Sequence, residues 1–410
     1  MRNRFVLACV LAFTLATVTL SAGEKPIKLG VMFGLTGTAS PIGPVQLDGV
    51  KLAINEVNAA GGIEYKGAKR QVEIIVRDDE TKPDVAIRRF RDFVNNDEVD
   101  AVLGQSLAPI SGALNKEVKR TQVAYFPVNV VGLDLFTPQE LAESTFAIHG
   151  CAYSTGYAAA VTVVKQLEKK KIVFFGPAYA FGQDQWKGAQ AAFKALNIDA
   201  EYIESPVGTN DFTSYLTKII EMEPEIVMLA HWGVDAINVL KQSYETGLKN
   251  RTDIFFNWMT NAFGSAVPAE AIDGVYSLMS WYYDLEGFED KAIVEKGKAF
   301  ADKFAAEFGY PPDPYSAMAY AGTLEALRAL SLANSNEPAA VSKALMASPE
   351  FDSVKGKGVW RIDHQPVFEY GAFIVIGRGP AERRHQWDLV KVIGAYTGDD
   401  FLPPLSSFGY

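Results

Sequence analysis

Histidines and clustered carboxylates are the side chains in this sequence that could catalyse a reaction or bind a metal ion. The four histidines lie far apart in the sequence and lack metal-ligand spacing: His149, His231, His364 and His385. Residues 78–80 (Asp-Asp-Glu) and residues 399–400 (Asp-Asp) could ligate a cation, but they are more typical of a strand end or a solvated turn. We therefore predict no metal site and no cofactor.

Sequence motifs for nucleotide binding and hydrolysis are also absent. The chain has no GxxxxGK[ST] phosphate loop, no GxGxxG after a strand, no GxSxG nucleophile elbow, no HExxH and no CxxC. This absence is weak evidence by itself, because catalytic triads assemble from distant positions. Together with the architecture described below, it predicts that the chain is not an enzyme.

Loops rich in aromatic and small residues follow several of the predicted strands. Residues 104–109 and 127–130 lie in the first half of the chain, and residues 177–182, 230–233 and 257–260 lie in the second. Ligands of doubly wound α/β proteins bind beyond the carboxyl ends of the strands, where such loops meet. Free N–H groups at the helix start in residues 104–109 suit a carboxylate. Any single aromatic could instead pack in a core, but together the loops predict a shared ligand pocket.

The elements that position these loops alternate between short apolar strands and longer helical patterns. The alternation begins at residue 27 and restarts after Gly150, which indicates two α/β units with parallel sheets. The strands and helices predicted after residue 290 are too few and too separated to form a third core. Distributed over the first two units, they require several crossings of the chain between lobes. Such crossings make a hinge and leave a cleft between the lobes.

Three features of the sequence limit where the protein can be located and what it can bind: its N-terminus, its net charge and its cysteines. Arg2 and Arg4 precede an apolar stretch and small residues, which predicts a secretory signal peptide over residues 1–23 rather than a membrane anchor. The mature chain then keeps only Cys151, so no internal disulfide can form, and we expect this thiol to be buried. A formal charge of −10 without a large basic cluster disfavours nucleic acid as a partner.

A series of short motifs resembles the leucine/isoleucine/valine-binding protein family. The motifs are Lys28-Leu29-Gly30-Val31, Gly34-Leu35-Thr36-Gly37, residues 49–54, Asn55 to Gly61-Gly62-Ile63, Asp78-Asp79, Phe181-Gly182-Gln183 and residues 315–320. Their order matches the family from about residue 27 to about residue 378. The resemblance implies an α/β fold of the type I periplasmic binding class, with two Rossmann-like lobes whose parallel-sheet cores are joined by three hinge crossovers.

The resemblance also implies lobe boundaries, partners and location. Lobe 1 would comprise residues 24–147 and 279–369, and lobe 2 would comprise residues 148–278 and 370–410. The crossovers would lie near residues 146–150, 276–280 and 369–371. The protein would be a periplasmic monomer that binds a small-molecule solute and presents it to an ABC permease in the inner membrane.

The positions that bind amino acids in this family carry different residues here. Ala108 and Val130 stand where serine and threonine hydroxyls hold the α-carboxylate, and Met259 stands where an acidic residue pairs with the ammonium group. A buried ammonium group without a counter-charge would cost several kcal/mol, so we expect a ligand other than a standard amino acid. An alignment offset of one or two residues would instead supply Ser106, Asn129 or Asn261.

We predict a pocket whose two walls come from different lobes. Lobe 1 contributes small, apolar and polar residues: Ser106, Leu107, Ala108, Asn129 and Val130. Lobe 2 contributes mostly aromatic residues: Tyr179, Phe181, Trp232, Trp258 and Met259. This pocket suits a small hydrophobic or aromatic carboxylate or amide, or an amino-acid-like solute. Aromatic stacking would contribute about 0.5–1.5 kcal/mol beyond burial.

Two other functions remain open at this point. A sensor of the same fold would pass ligand occupancy to a membrane receptor instead of an importer. A secreted hydrolase of a small amide or ester would need a nucleophile and a base beside the cleft, and no motif in the sequence supplies such a pair.

Overall fold

The first part of the chain forms a parallel four-stranded sheet covered by helices. The computed structural model describes residues 25–105, 107–121 and 123–410, so the predicted signal peptide and Ser106 lie outside the described residues. In chain order the elements are β1 (Ile27–Phe33), α1 (Gly43–Ala59), β2 (Ile63–Tyr65), β3 (Ala68–Arg70), β4 (Val72–Asp78), α2 (Pro83–Asp92), β5 (Ala101–Leu103), α3 (Ala108–Val118) and β6 (Ala124–Phe126). The strand order is β4-β1-β5-β6, and β2 and β3 form a separate hairpin.

The second part repeats the alternation of strands and helices. Its elements are α4 (Ala152–Val161), β7 (Ile172–Pro177), α5 (Ala180–Ala195), β8 (Ala200–Ser205), α6 (Thr213–Met222), β9 (Ile226–Leu229), α7 (Val234–Glu245), β10 (Asp253–Phe256), α8 (Asn261–Ser265), α9 (Ala269–Ile272) and β11 (Tyr276–Met279). These five strands pair in parallel as the centre of a second sheet.

The remainder of the chain adds helices and a small sheet beside the first sheet and two strands to the second sheet. Its elements are α10 (Lys291–Phe308), α11 (Pro314–Ala333), α12 (Pro338–Ala347), β12 (Glu350–Ser353), β13 (Gly356–Trp360), β14 (Pro366–Phe368), β15 (Tyr370–Gly377) and β16 (Val390–Thr397). Helix α11 packs along α1 beside the first sheet. Strands β15 and β16 join the second sheet in antiparallel orientation, which gives the order β16-β15-β11-β10-β9-β7-β8.

Burial explains why several short strands, one of them at a sheet edge, are continuous apolar runs in the sequence. Every residue of β5, β6 and β9 is buried, because helices cover both faces of each sheet and no face alternates with solvent. The predicted α/β fold with two parallel-sheet cores is confirmed. The hairpin of β2 and β3 and the small sheet of β12, β13 and β14 were not predicted.

The chain passes between the two sheets three times. It leaves the first sheet between β6 and α4, returns between β11 and α10, and crosses again between β14 and β15. We call the first sheet with its helices and the sheet of β12–β14 lobe 1, and we call the second sheet with its helices lobe 2. The residue boundaries given above for the lobes stay a prediction.

Cys151 lies at the start of lobe 2. The thiol is fully buried and free, with its Sγ 3.2 Å from Ser154 Oγ, and burial raises its pKa to about 11. It is therefore protonated at neutral pH and packs as a small apolar group. In the part of the chain that the structure describes, none of the helices has the length and apolar character needed to cross a membrane.

Helices α4 and α5 of lobe 2 cross at two glycines. A Cβ atom on Gly156 would lie 1.9 Å from the carbonyl oxygen of Gln185, and one on Gly188 would lie 2.0 Å from the carbonyl oxygen of Tyr153. Backbone oxygens cannot move aside without moving the helix, so the close approach depends on both glycines.

We expect Gly156→Ala to lower the free energy of unfolding by about 1–3 kcal/mol, because the new methyl group forces the two helices apart. Urea denaturation followed by circular dichroism measures the change. Gly112→Ala is the matched control, since its Cβ would approach nothing closer than 3.8 Å and alanine favours the helix. Equal loss of stability in both variants would show that the helix crossing does not depend on Gly156.

Candidate ligand-binding site

The predicted pocket residues come together where the two lobes meet. One continuous apolar cluster contains six of them: Ala108, Val130, Phe181, Trp232, Trp258 and Met259. Leu107 and Tyr179 pack against this cluster, and Ser106 lies outside the described residues. The cluster spans both lobes, so the loops after the strands close on each other. The part that each residue takes in ligand binding stays a prediction.

Individual members of the set differ in what they face. The rings of Tyr179 and Phe181 stack with centroids 5.9 Å apart at the start of α5. Asn129 is buried, and its Oδ1 accepts a hydrogen bond from the backbone N–H of Val130 at 2.7 Å. Met259 is fully buried, and its sulfur lies near Gly264 of lobe 2.

A row of four rings connects the cleft with the hinge. The indole of Trp232 meets Tyr315 edge-on, with centroids 6.4 Å apart. Tyr315 stacks on His149 at 5.6 Å, and His149 meets Trp258 at 5.3 Å. Tyr315 belongs to lobe 1, His149 to the first passage between the lobes, and the two tryptophans to lobe 2. The row therefore connects the two lobes through direct contacts between rings.

Hydrogen bonds join the lobes around these rings. The pairs are Trp232 Nε1 to Tyr315 Oη at 3.1 Å, Ala262 N to Asp313 Oδ2 at 2.9 Å, Asn261 Nδ2 to Pro312 O at 2.9 Å and Leu133 N to Asp184 Oδ2 at 3.1 Å. The backbone of Gly233 also comes so near Thr38 that a Cβ would lie 2.4 Å from the Thr38 carbonyl oxygen. The lobes are thus in their closed arrangement.

Burial determines the charge of the ionisable groups around the cleft. Burial, together with the charge of Lys355, lowers the pKa of His149 to about 3, and burial lowers the pKa of His231 to about 3. Both imidazoles are therefore neutral at pH 7. Burial raises the pKa of Asp313 to about 6, although hydrogen bonds from Tyr315 and Ala262 act in the opposite direction.

Asp313 has two structural tasks at the cleft. It caps α11 by accepting a hydrogen bond from the backbone N–H of Tyr315 at 2.9 Å, and its other oxygen accepts the bond from Ala262 in lobe 2. The same carboxylate therefore holds Tyr315 in position and contributes to lobe closure.

We expect Asp313→Ala to lower the free energy of unfolding by about 1–2 kcal/mol through loss of the cap, and to weaken solute binding several-fold as well. The affinity falls because the closed arrangement loses a bond that the open one lacks. Denaturant unfolding and calorimetry measure the two effects. Glu337→Ala is the control, since Glu337 caps α12 through a bond to Ala340 within lobe 1 only. Equal affinities of the two variants would contradict a role of Asp313 in closure.

The carboxylate of Asp78, at the end of β4, holds the neighbouring loops together. Asp78 accepts hydrogen bonds from the backbone N–H groups of Leu35 at 2.9 Å and Glu80 at 2.8 Å, and from the Thr36 hydroxyl at 2.6 Å. Burial alone would raise the pKa of Asp78, but these hydrogen bonds outweigh it and lower the pKa. Among the residues that the structure describes, no group of three or more His, Cys, Asp or Glu side chains could hold a metal ion.

Sequence reasoning gave no site role to three residues that the structure places in the ring row or beside it. Tyr315, His149 and Asp313 come from a helix start and a passage between lobes, not from loops after strands. The Asp313-Pro314 pair was a usable signal, because an N-cap aspartate followed by proline marks the first turn of a helix. This signal would have placed Tyr315 in the first turn of α11.

Comparisons with known proteins agree with this architecture. A family model described as "Periplasmic binding protein" matches residues 26–378. A Leu/Ile/Val-binding protein homolog of Brucella abortus is 24% identical over 371 residues, which cover 87% of this chain and 89% of that protein.

Two solved structures have a similar fold. The amino acid ABC transporter substrate-binding protein from Pseudomonas fluorescens superposes with a TM-score of 0.82 and 22% identity, covering 94% of this chain and 99% of that one. A solute-binding protein of an ABC transporter from R. palustris, in complex with benzoate, superposes with a TM-score of 0.77 and 19% identity, covering 91% and 97%. At these identities the likeness shows a shared fold.

Proposed function

The chain belongs to the periplasmic binding protein family, whose members are non-catalytic, and we propose that it captures a small solute between its lobes for an ABC importer. The observation that carries the proposal is the closed cleft, where rings and hydrogen bonds from both lobes meet. A solute in contact with both walls would stabilise this closed arrangement, which is the form that a permease would recognise.

We propose a small hydrophobic or aromatic carboxylate as the ligand, with amides and amino-acid-like solutes as alternatives. The ring row gives the cleft an aromatic wall, against which an apolar group of a solute would pack when it enters between the lobes. Ala108 and Val130 supply no hydroxyl group to a ligand. The likeness to a benzoate-bound protein and to a Leu/Ile/Val-binding protein homolog supports this range of ligands.

Export to the periplasm is part of the proposal. The family is periplasmic, and the sequence pattern of residues 1–23 is that of a secretory signal peptide. Delivery to a permease in the inner membrane requires that location.

A thermal-shift screen followed by calorimetry tests the proposed function. The panel pairs acids with amides: benzoate, phenylacetate and isovalerate with their amides, and leucine with leucinamide. A true ligand raises the melting temperature in proportion to RT ln(1 + [L]/Kd), and small-angle scattering should show a more compact protein when it is bound. The proposal fails if no member of the panel stabilises the protein, or if a bound compound is recovered chemically changed.

A further inference from the structure

A small cavity lies at the hinge, where the passages between the lobes meet. Its lining includes His149 of the first passage, Ser280 of the second and Gly371 directly after the third. About 20 Å³ of it could be occupied by the centre of a water molecule. This is room for one or two waters, or for the two oxygens of a carboxylate, but not for a whole solute.

A buried ammonium group lines this cavity. Lys355 lies in the turn between β12 and β13, and only 3% of the residue is exposed. Its Nζ donates a hydrogen bond to the carbonyl oxygen of Gly371 at 2.7 Å and lies 4.5 Å from the ring centre of Phe368. Within the described parts of the chain it has no ion pair with an acidic side chain. An ammonium group has three N–H donors, and its burial without a counter-charge is costly.

Two further hydrogen-bond donors line the same cavity. Ser280 Oγ and Trp258 Nε1 are both buried, and neither has a hydrogen-bond partner among residues 25–105, 107–121 and 123–410. Buried polar groups are nearly always paired, so unpaired donors around a cavity indicate a missing acceptor. A carboxylate accepts hydrogen bonds on both oxygens and would satisfy the lysine, the serine and the indole together.

We propose that this cavity is an anion subsite in which Lys355 binds the carboxylate of the solute held in the cleft, an inference that rests on the proposed function. Trp258 and His149 line the cavity and also belong to the ring row, so the cavity adjoins the cleft. A solute lying along these rings would direct its carboxylate to Lys355 and its apolar part to Tyr315 and Trp232. The ligand would thereby also contact the passages about which the lobes move.

The ionisation of Lys355 agrees with this geometry. Burial lowers the pKa of Lys355 to about 7. His149 is the other titratable residue in the cavity lining and is neutral at pH 7, while Glu369 accepts from the backbone N–H of Lys357. A bound carboxylate would supply a negative charge beside Lys355, which forms no ion pair with an acidic side chain of the described residues.

The experiment compares each acid of the panel with its uncharged amide by calorimetry at pH 6.5 in chloride-free buffer. We expect the wild-type protein to bind at least one acid about 10-fold or more tightly than its amide. Lys355→Met and Lys355→Gln should reduce this ratio to about 1. Lys357→Met removes the same charge two residues away in the same hairpin, where the side chain is exposed, and should leave the ratio unchanged.

Any result other than the expected one contradicts either the anion subsite alone or the proposed function as well. Equal binding of acid and amide by the wild-type protein, or an acid preference that survives Lys355→Met, removes the anion subsite and leaves the proposed function standing. If acetate alone stabilises the protein through Lys355 as strongly as the larger acids do, the cavity binds free anions and not the carboxylate of the solute. Failure of every probe to bind the wild-type protein overturns both proposals. The wild-type ratio does not depend on whether any variant folds.

Discussion

Trp232→Ala is expected to weaken solute binding about 30- to 150-fold, because one substitution removes both a wall of the cleft and a bond between the lobes. The indole is 94% buried, packs edge-on against Tyr315 and Phe263, and donates its N–H to the Tyr315 hydroxyl at 3.1 Å. Buried tryptophans at the centre of an interface commonly contribute about 2–3 kcal/mol to binding, which corresponds to this range. Calorimetry with the tightest acid of the panel measures the change.

Trp186→Ala is the matched control for this prediction. Trp186 also belongs to lobe 2, but it stacks on Tyr202 at 4.8 Å and lines a separate groove formed by residues between 186 and 200, none of which is a predicted cleft residue. It should cost stability without changing affinity. Unchanged affinity of Trp232→Ala, or an equal loss in both variants, would remove Trp232 from the binding site.

The two effects of the indole can be separated by conservative variants. Trp232→Phe keeps an aromatic face but loses the N–H donor, and Tyr315→Phe removes the acceptor of the same bond. If this bond favours the closed arrangement, the two single variants and the double variant should weaken binding by nearly the same factor. Additive losses would show that each ring acts on the ligand independently of the bond.

The parallel cores were predictable because their physical cause is local in the sequence. The predicted alternation of short strands and helices, which begins at residue 27 and restarts after Gly150, is present in both lobes. Fully buried strands must be apolar on both faces, so short apolar runs between amphipathic helices identify them. Strands β12 and β14 lack that signal, since they are short and β12 alternates between exposed and buried residues.

The candidate site was predictable only for residues that directly follow the carboxyl ends of strands. Ala108, Val130, Phe181 and Trp232 come from loops and helix starts that follow the carboxyl ends of strands, and the structure gathers them in one cluster. Lys355 comes from a hairpin turn that was not predicted, and it reaches the hinge only because β13 and β14 pack beside the passages. No pattern of neighbouring residues indicates such a contact, since tertiary folding alone creates it.

A buried lysine without an acidic partner lowers the stability of the protein that carries it. Selection for folding alone favours an apolar side chain at such a position, because burying an ammonium group costs more than one hydrogen bond to a carbonyl returns. Residues kept for binding commonly show this conflict with stability. The conflict gives a test of Lys355 that needs no ligand.

Lys355→Met is expected to raise the free energy of unfolding of the ligand-free protein at pH 6, by up to about 5 kcal/mol before the lost bond to Gly371 is counted, since each unit of pKa change corresponds to about 1.4 kcal/mol. The pKa of Lys355 is about 7 in the folded protein and about 10.4 in an unfolded chain, so the unfolded chain binds more protons between these values. The stability contributed by this position in the wild-type protein therefore rises from pH 7 to pH 10, whereas methionine does not titrate.

The advantage of the methionine variant should accordingly be largest below pH 7 and should shrink as the pH approaches 10. Urea denaturation of both proteins at pH 6, 8 and 10 measures the difference, in which the titration of all other groups cancels to first order. The lost bond to Gly371 reduces the gain by about 1 kcal/mol at every pH and leaves the slope unchanged. A variant less stable than the wild-type protein at pH 6, with no dependence on pH, would mean that Lys355 is a structural hydrogen-bond donor whose charge the fold already accommodates. A stabilised variant that no longer prefers acids to amides would instead mean that the Lys355 ammonium group lowers the stability of the free protein and binds the carboxylate of the ligand.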